Sequence, residues 1–232
     1  MERASSPALP PLRHYFGEAR ILPDWVRGRL AEDRLARAYP GDGRPVIVIP
    51  GLFTTDNRTR MLRRVLTKAG YDTYGWGLGR NMPIRADVLE RFGAQVHRVR
   101  QRTSQPVTLI GWSLGGLIAR AYAHHAPQDV GAIITLGSPF SGHPKSNRAW
   151  QAYELLADHK VDAPPLPYSR DAKPPVPTVA IWSPRDGVIH EAAARGEAHE
   201  RDDHVEINCG HFAMSSAPDA LEAVLRVLKQ FP

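Results

Sequence analysis

The sequence predicts an α/β protein: a mostly parallel sheet of about six strands, helices on both faces, and a short cap segment. Three observations predict it. Valine and isoleucine runs such as Val46-Ile47-Val48-Ile49 are too continuous for a strand with one wet face and suit strands buried on both. Amphipathic helical segments recur between these runs, the alternation of a parallel sheet with crossover helices. One pentapeptide, Gly111-Trp112-Ser113-Leu114-Gly115, stands where a strand hands over to a helix. At 232 residues and 42% hydrophobic content the chain can bury one substantial core, so a single domain is expected over 45–232, preceded by a helical arm over 1–44.

In the arm, Leu12, Tyr15, Phe16, Ile21, Leu22, Trp25, Val26, Leu30 and Leu35 have loosely helical spacing, which predicts one or two short helices laid against the domain. A basic amphipathic arm touching lipid is the alternative. Gly41-Asp42-Gly43 marks the turn into the first strand, which ends at Pro50-Gly51-Leu52-Phe53. Thr55-Asp56-Asn57 reads as the cap of a helix reaching about Ala69, and Tyr71–Tyr74 as the next strand. The glycine-rich stretch Gly75–Asn81 fails as a dinucleotide fingerprint, because Arg80 stands where the last glycine is needed, so it reads as a loop. A helix over roughly 86–102 places Val88, Leu89, Phe92, Val96 and Val99 at core spacing and leads into the strand Val107–Ile110.

At the pentapeptide the chain turns so sharply that a serine there is held in a strained backbone conformation, its hydroxyl beyond the strand end. Side chains two residues before and after would collide, hence Gly111 and Gly115, while Gly116 lets the following helix pack close to the sheet. That helix directs its free N–H groups and positive dipole end at any oxyanion formed beside Ser113. Further on, Val130–Leu136 is a buried strand, 141–175 a proline-rich candidate cap with a helix at Arg148–Ala157, and Val176–Trp182 another strand. Asp203–Ile207 alternates like an edge strand before the final helix, Ala217–Phe231.

Strand, turn and helix together resemble the α/β-hydrolase family from about Pro45 onward, and Thr135-Leu136-Gly137-Ser138-Pro139 with Gly142 resembles the corresponding stretch of bacterial lipases and related esterases. A serine hydroxyl needs a base to take its proton, and the base needs an acid to fix its tautomer. The resemblance implies Ser113 as nucleophile, Asp186 on the loop after strand Val176–Trp182 as acid, and His211 on the loop before the last helix as base, in chain order Ser, Asp, His. Asp162, Asp202, Asp203 and His204 are the competitors. For the oxyanion hole it implies the N–H of Leu114 and a second from the loop after the first strand, assigned to Leu52 with Phe53 as the alternative; Pro50 stands where the family usually has histidine. Phe53, Trp76, Trp112, Phe140, Phe212 and Met214, beside motif positions, are the expected substrate-binding residues. The expected chemistry is cofactor-free hydrolysis of small-molecule or lipid esters through an acyl-enzyme. Thioester or amide hydrolysis and acyl transfer use the same residues, and a non-catalytic ligand-binding protein is the other class.

The net charge of +6 does not mark a nucleic-acid binder: only five of thirty basic residues are lysine, the arginines are scattered, and no aromatics interleave with them. The single cysteine, Cys209, excludes an internal disulfide, and no Cys/His spacing suits a metal. With no membrane-length apolar run, a soluble cytoplasmic protein with at most peripheral lipid contact is expected.

Overall fold

The computed structural model describes residues 8–231; the first seven residues of the expected arm lie outside the described part. Six strands form one sheet: β1 (Pro45–Ile49), β2 (Asp72–Gly75), β3 (Val107–Trp112), β4 (Val130–Leu136), β5 (Thr178–Trp182) and β6 (Asp203–Glu206), in the order β2-β1-β3-β4-β5-β6. Every neighbouring pair is parallel. The continuous Val/Ile runs are the inner strands; β1, β3 and β5 are buried throughout, whereas the edge strands β2 and β6 are half exposed. Alternate residues of β1 feed two separate cores. Val46 and Val48 face Leu62, Val65, Leu221 and Val224, and Ile47 and Ile49 face Phe92, Val96 and Ile118.

The helices are α1 (Leu12–Gly17), α2 (Ile21–Ala38), α3 (Arg60–Ala69), α4 (Val88–Thr103), α5 (Leu114–His125), α6 (Trp150–Leu156), α7 (Glu191–Arg195) and α8 (Pro218–Leu228). Because all strands are parallel, the loops leaving them gather at one edge of the sheet. From β1 the chain crosses to β2 on one side, and from β3 to β4 on the other, which opens a crevice between the loops after β1 and β3. Both stretches read as nucleophile turn and oxyanion loop border that crevice.

One local expectation is corrected. Thr55-Asp56-Asn57 does not cap α3: a 3₁₀ turn, Asp56–Thr59, precedes the helix, and the Asp56 carboxylate instead accepts the N–H groups of Trp76 and Gly77 at 3.0 and 3.1 Å, tying the loop after β1 to the loop after β2. The arm packs on the domain, against α3 and α8, but of its nine apolar residues at helical spacing only Leu35 is buried there. The inward side of α2 is Asp24, Gly28, Glu32, Leu35 and Ala36, while Leu22, Trp25, Val26 and Leu30 are exposed. Gly28 permits the approach, since a Cβ there would stand 1.8 Å from the carbonyl oxygen of Ser216. Glu32, fully buried, accepts from Arg64 (Nε at 2.9 Å), Lys68 (3.1 Å) and Arg29 (2.5 Å). Apart from Leu35 the packing face is therefore ionic and small, and the stripe Leu22, Trp25, Val26 and Leu30 looks out.

Burial alone would push the Glu32 carboxyl up, but hydrogen bonds from Arg64 and Lys68 with the charges of Arg64 and Arg29 hold it below the usual range. A carboxyl depressed by folding stabilises the protein fully above its unfolded pKa, and that contribution is lost as the pH falls through the folded value. Glu32→Gln should therefore cost about 2 kcal/mol near neutral pH, the cations being partly solvated. Urea melts of both proteins should converge as the pH drops below about 4.5, the ordinary glutamate range; an undiminished difference in acid would refute the ionic docking of α2.

Candidate active site

Ser113 sits between β3 and α5 with φ 55° and ψ −120°, a left-handed conformation that a serine adopts only under constraint. The constraint is visible on both sides. Its N–H donates to the carbonyl of Leu136 at 2.8 Å, locking the turn onto the end of β4. A Cβ on Gly111 would lie 2.4 Å from the backbone of Gly115 and Gly116, and one on Gly115 would lie 2.4 Å from the carbonyl oxygen of Ile49. The serine side chain does not cap its own helix, which leaves the hydroxyl uncommitted.

On the loop after β5, Asp186 Oδ1 accepts the N–H groups of Val188 and Ile189 at 2.8 and 2.7 Å, which fixes the carboxylate in a tight turn. Its Oδ2 lies 2.7 Å from His211 Nδ1, and both side chains are almost entirely buried. A carboxylate only accepts, so Nδ1 carries the proton and Nε2 of the neutral ring is the basic nitrogen. The loop of His211 is held beside the nucleophile turn by Trp112, whose indole N–H donates to the carbonyl of His211 at 3.2 Å with the rings 5.5 Å apart. The competitors stand elsewhere. Asp162, Asp202 and Asp203 are exposed, and His204, on edge strand β6, accepts from the Trp182 indole at 3.1 Å.

Leu52 and Leu114 line one cavity with Ser113. Among the described residues neither of their N–H groups has an acceptor, whereas the N–H of Phe53 is spent on the carbonyl of Asn81 at 2.7 Å. Leu52 and Leu114 are thus the pair of free donors beside the serine. The cavity holds about 70 Å³ and is bounded on the domain side by Leu117 and Ala121 of α5, on the other by Trp150, Tyr153, Leu166 and Tyr168 of segment 141–175. That segment has one short helix, α6, and is pinned over the cavity by Arg120. The buried Arg120 guanidinium donates to the carbonyls of Arg170, Ala172 and Glu200, and desolvation brings its pKa down to about 10.

None of the six aromatic or thioether side chains expected to bind substrate lines this cavity. Trp112 and Met214 are core residues, Phe140 is fully buried with Arg120 stacked 4.1 Å above its ring, and Trp76 borders a separate cleft with its indole bonded to the carbonyl of Gly79. Phe53 is half-buried; Phe212 is 38% exposed with its ring 5.7 Å from that of His211. Standing next to a motif residue in a strand or tight turn sends a side chain to the opposite side. The spacing that finds the lining is helical: Leu117 and Ala121 follow Ser113 at four-residue steps on α5. Cys209 is a packing residue, its thiol pushed well up by burial.

Sequence reasoning missed Glu18. This carboxylate, in the 3₁₀ turn between α1 and α2, is buried, and its Oε1 accepts the N–H of Gly187 at 2.9 Å and of His211 at 2.7 Å, its Oε2 that of Phe212 at 2.9 Å. One side chain of the arm therefore bridges the Asp186 loop and the His211 loop. Both loops are cut to fit: a Cβ on Gly187 would stand 2.6 Å from the backbone of His14 and Tyr15, and one on Gly210 would stand 2.7 Å from Glu18 Oε2.

Comparison with known proteins agrees with this architecture. A family model described as alpha/beta hydrolase fold matches residues 44–156. The chain is 40% identical over 62 residues, 27% of its length, to the biotin biosynthesis bifunctional protein BioHC of Teredinibacter turnerae, of which the match spans only 10%. Among solved structures, that of the metagenome-derived lipolytic enzymes LipS and LipT superposes with a TM-score of 0.60 at 16% identity, covering 83% of this chain and 96% of that one. The lipase BlEst2 of Bacillus licheniformis superposes with a TM-score of 0.58 at 17% identity, covering 82% and 94%. With a six-stranded parallel sheet, the sharp serine turn after β3 and a family model that matches 44–156, the chain has the α/β-hydrolase fold.

Proposed function

We propose that this protein is a serine hydrolase of carboxylic esters, with Ser113, Asp186 and His211 as its catalytic residues and the N–H groups of Leu52 and Leu114 as its oxyanion hole. The observation that carries the proposal is an uncommitted serine in a forced backbone conformation that shares one cavity with two residues bearing free N–H donors, while a histidine oriented by a buried carboxylate is held beside the serine turn through Trp112. Lipases among the fold relatives agree with it.

In the reaction, Ser113 Oγ attacks the ester carbonyl while His211 Nε2 takes its proton. The negative charge that develops on the carbonyl oxygen is met by the Leu52 and Leu114 N–H groups, each worth about 10²–10³ in rate. Asp186 stabilises the imidazolium across the 2.7 Å contact. The C–O bond then breaks, the leaving alkoxide takes the proton from His211 Nε2, and the acyl group stays on Ser113 Oγ. Water enters, gives its proton to the same nitrogen, and the acid is released as the proton returns to Ser113. Glu18 is a positioning residue in this scheme: it touches no reacting atom and holds the acid loop and the base loop in register.

Ser113→Ala and His211→Ala should each lower kcat on p-nitrophenyl acetate by about 10⁴–10⁶-fold, the groups acting as a unit, with unchanged thermal melts. Full activity in Asp186→Ala together with loss in Asp162→Ala would reassign the acid. A water takes roughly 10–15 Å³ of such a cavity, so acyl chains of about five heavy atoms fit without movement of the cap; kcat/KM across p-nitrophenyl esters should peak at short to medium chains, and a maximum at palmitate would refute this reading of the pocket. Glu18→Ala should lower kcat by about 10²-fold, as misplacement of a catalytic group by about 1 Å does, with little change in KM, and added formate should restore part of the loss by occupying the vacated carboxylate site. A wild-type kcat in that variant, or a loss that formate leaves untouched, removes Glu18 from the mechanism.

A further inference from the structure

The arm is an amphipathic element turned inside out. Eight of the twelve large apolar side chains left exposed among the described residues fall between Leu9 and Leu30, in less than a tenth of the chain's length. On α2 they form a single stripe, Leu22, Trp25, Val26 and Leu30, at steps of three and four residues, and Phe16 at the end of α1 extends it. Phe16 is 74% exposed, Leu22 67% and Leu30 80%. An apolar stripe of this kind marks a surface that something covers.

The charges beside it say what. Between Ala8 and Pro40 the exposed ionic side chains are six arginines (Arg13, Arg20, Arg27, Arg29, Arg34, Arg37) and a single carboxylate, Asp33, because Glu18, Asp24 and Glu32 are turned inward. Trp25 also borders a groove with Arg58 and Arg60. Apolar and aromatic side chains flanked by arginine are the composition of a helix that lies in the headgroup region of an anionic bilayer. A second copy of the chain is the poorer occupant, since a two-fold contact would set one arginine-rich stripe against another.

We infer that α1 and α2 form a docking surface for anionic phospholipid bilayers. The stripe is fixed to the catalytic centre: Glu18 ties it to the loops of Asp186 and His211, and Arg148, at the start of the segment over the cavity, donates to the carbonyl of Pro10 at 2.5 Å. Docking is a matter of the arm alone and does not rest on the ester-hydrolase reading.

The test is flotation of the full chain with vesicles of phosphatidylcholine containing about 30% phosphatidylglycerol, against vesicles of pure phosphatidylcholine. Expected are binding to the anionic vesicles, loss of at least about ten-fold in affinity when Phe16, Leu22 and Leu30 are all replaced by serine, and a comparable loss in about 0.5 M NaCl. Turnover of a soluble p-nitrophenyl ester should not change in the triple variant. Absence of binding, or binding that the triple variant retains, overturns the proposal. So does a wild-type dimer in sedimentation equilibrium that the triple variant dissolves, which would assign the stripe to a second copy.

Discussion

The site depends on one backbone constraint, the left-handed conformation of Ser113. Nothing in the serine favours it; the cost is of order 1–3 kcal/mol and is met by the surroundings. The Ser113 N–H is held by the end of β4, and the two flanking glycines let β3, α5 and the end of β1 approach to distances no side chain would allow. The same close approach that forces the turn also brings the N–H of Leu114, at the start of α5, and that of Leu52, on the loop after β1, to the same cavity. Backbone strain, the free hydroxyl and the two unpaired N–H groups are thus one geometric arrangement.

Around that turn the other groups are positioned by hydrogen bonds to main-chain atoms. Asp186 is set by two N–H groups of its own turn, His211 by Asp186 and by the Trp112 indole on its carbonyl, and the overlying segment by the Arg120 guanidinium on two of its carbonyls, those of Arg170 and Ala172. Such bonds fix loops that carry little regular structure of their own. Arg120 is buried and lines the cavity, so the segment 141–175 is anchored by a residue of α5.

Much of this was legible in the sequence. The inner strands were readable because both of their faces are buried, and the nucleophile turn because glycine, serine and glycine at fixed spacing answer a steric demand that few other sequences meet. Asp186 and His211 were paired by resemblance, and the structure brings their side chains to 2.7 Å of one another. The pocket was not legible. Trp112, Phe140 and Met214 stand next to motif residues in the chain, but strand alternation and tight turns send them to the far side, and the cavity is lined instead by α5 and by a segment without periodicity. The packing face of the arm was hidden for the opposite reason: its apolar spacing is truly helical, but periodicity reveals a stripe without saying whether protein or solvent faces it. The inward side is marked by Glu32 and Gly28, whose partners Arg64, Lys68 and Ser216 are distant in sequence.

Glu18 has a further consequence for how the molecule comes together. The three N–H groups its carboxylate accepts belong to residues 169, 193 and 194 positions later in the chain. Contacts so far apart in sequence carry a larger loop-closure cost than local ones. The anchoring of the Asp186 and His211 loops is therefore a property of the closed chain and not of either loop's own neighbourhood.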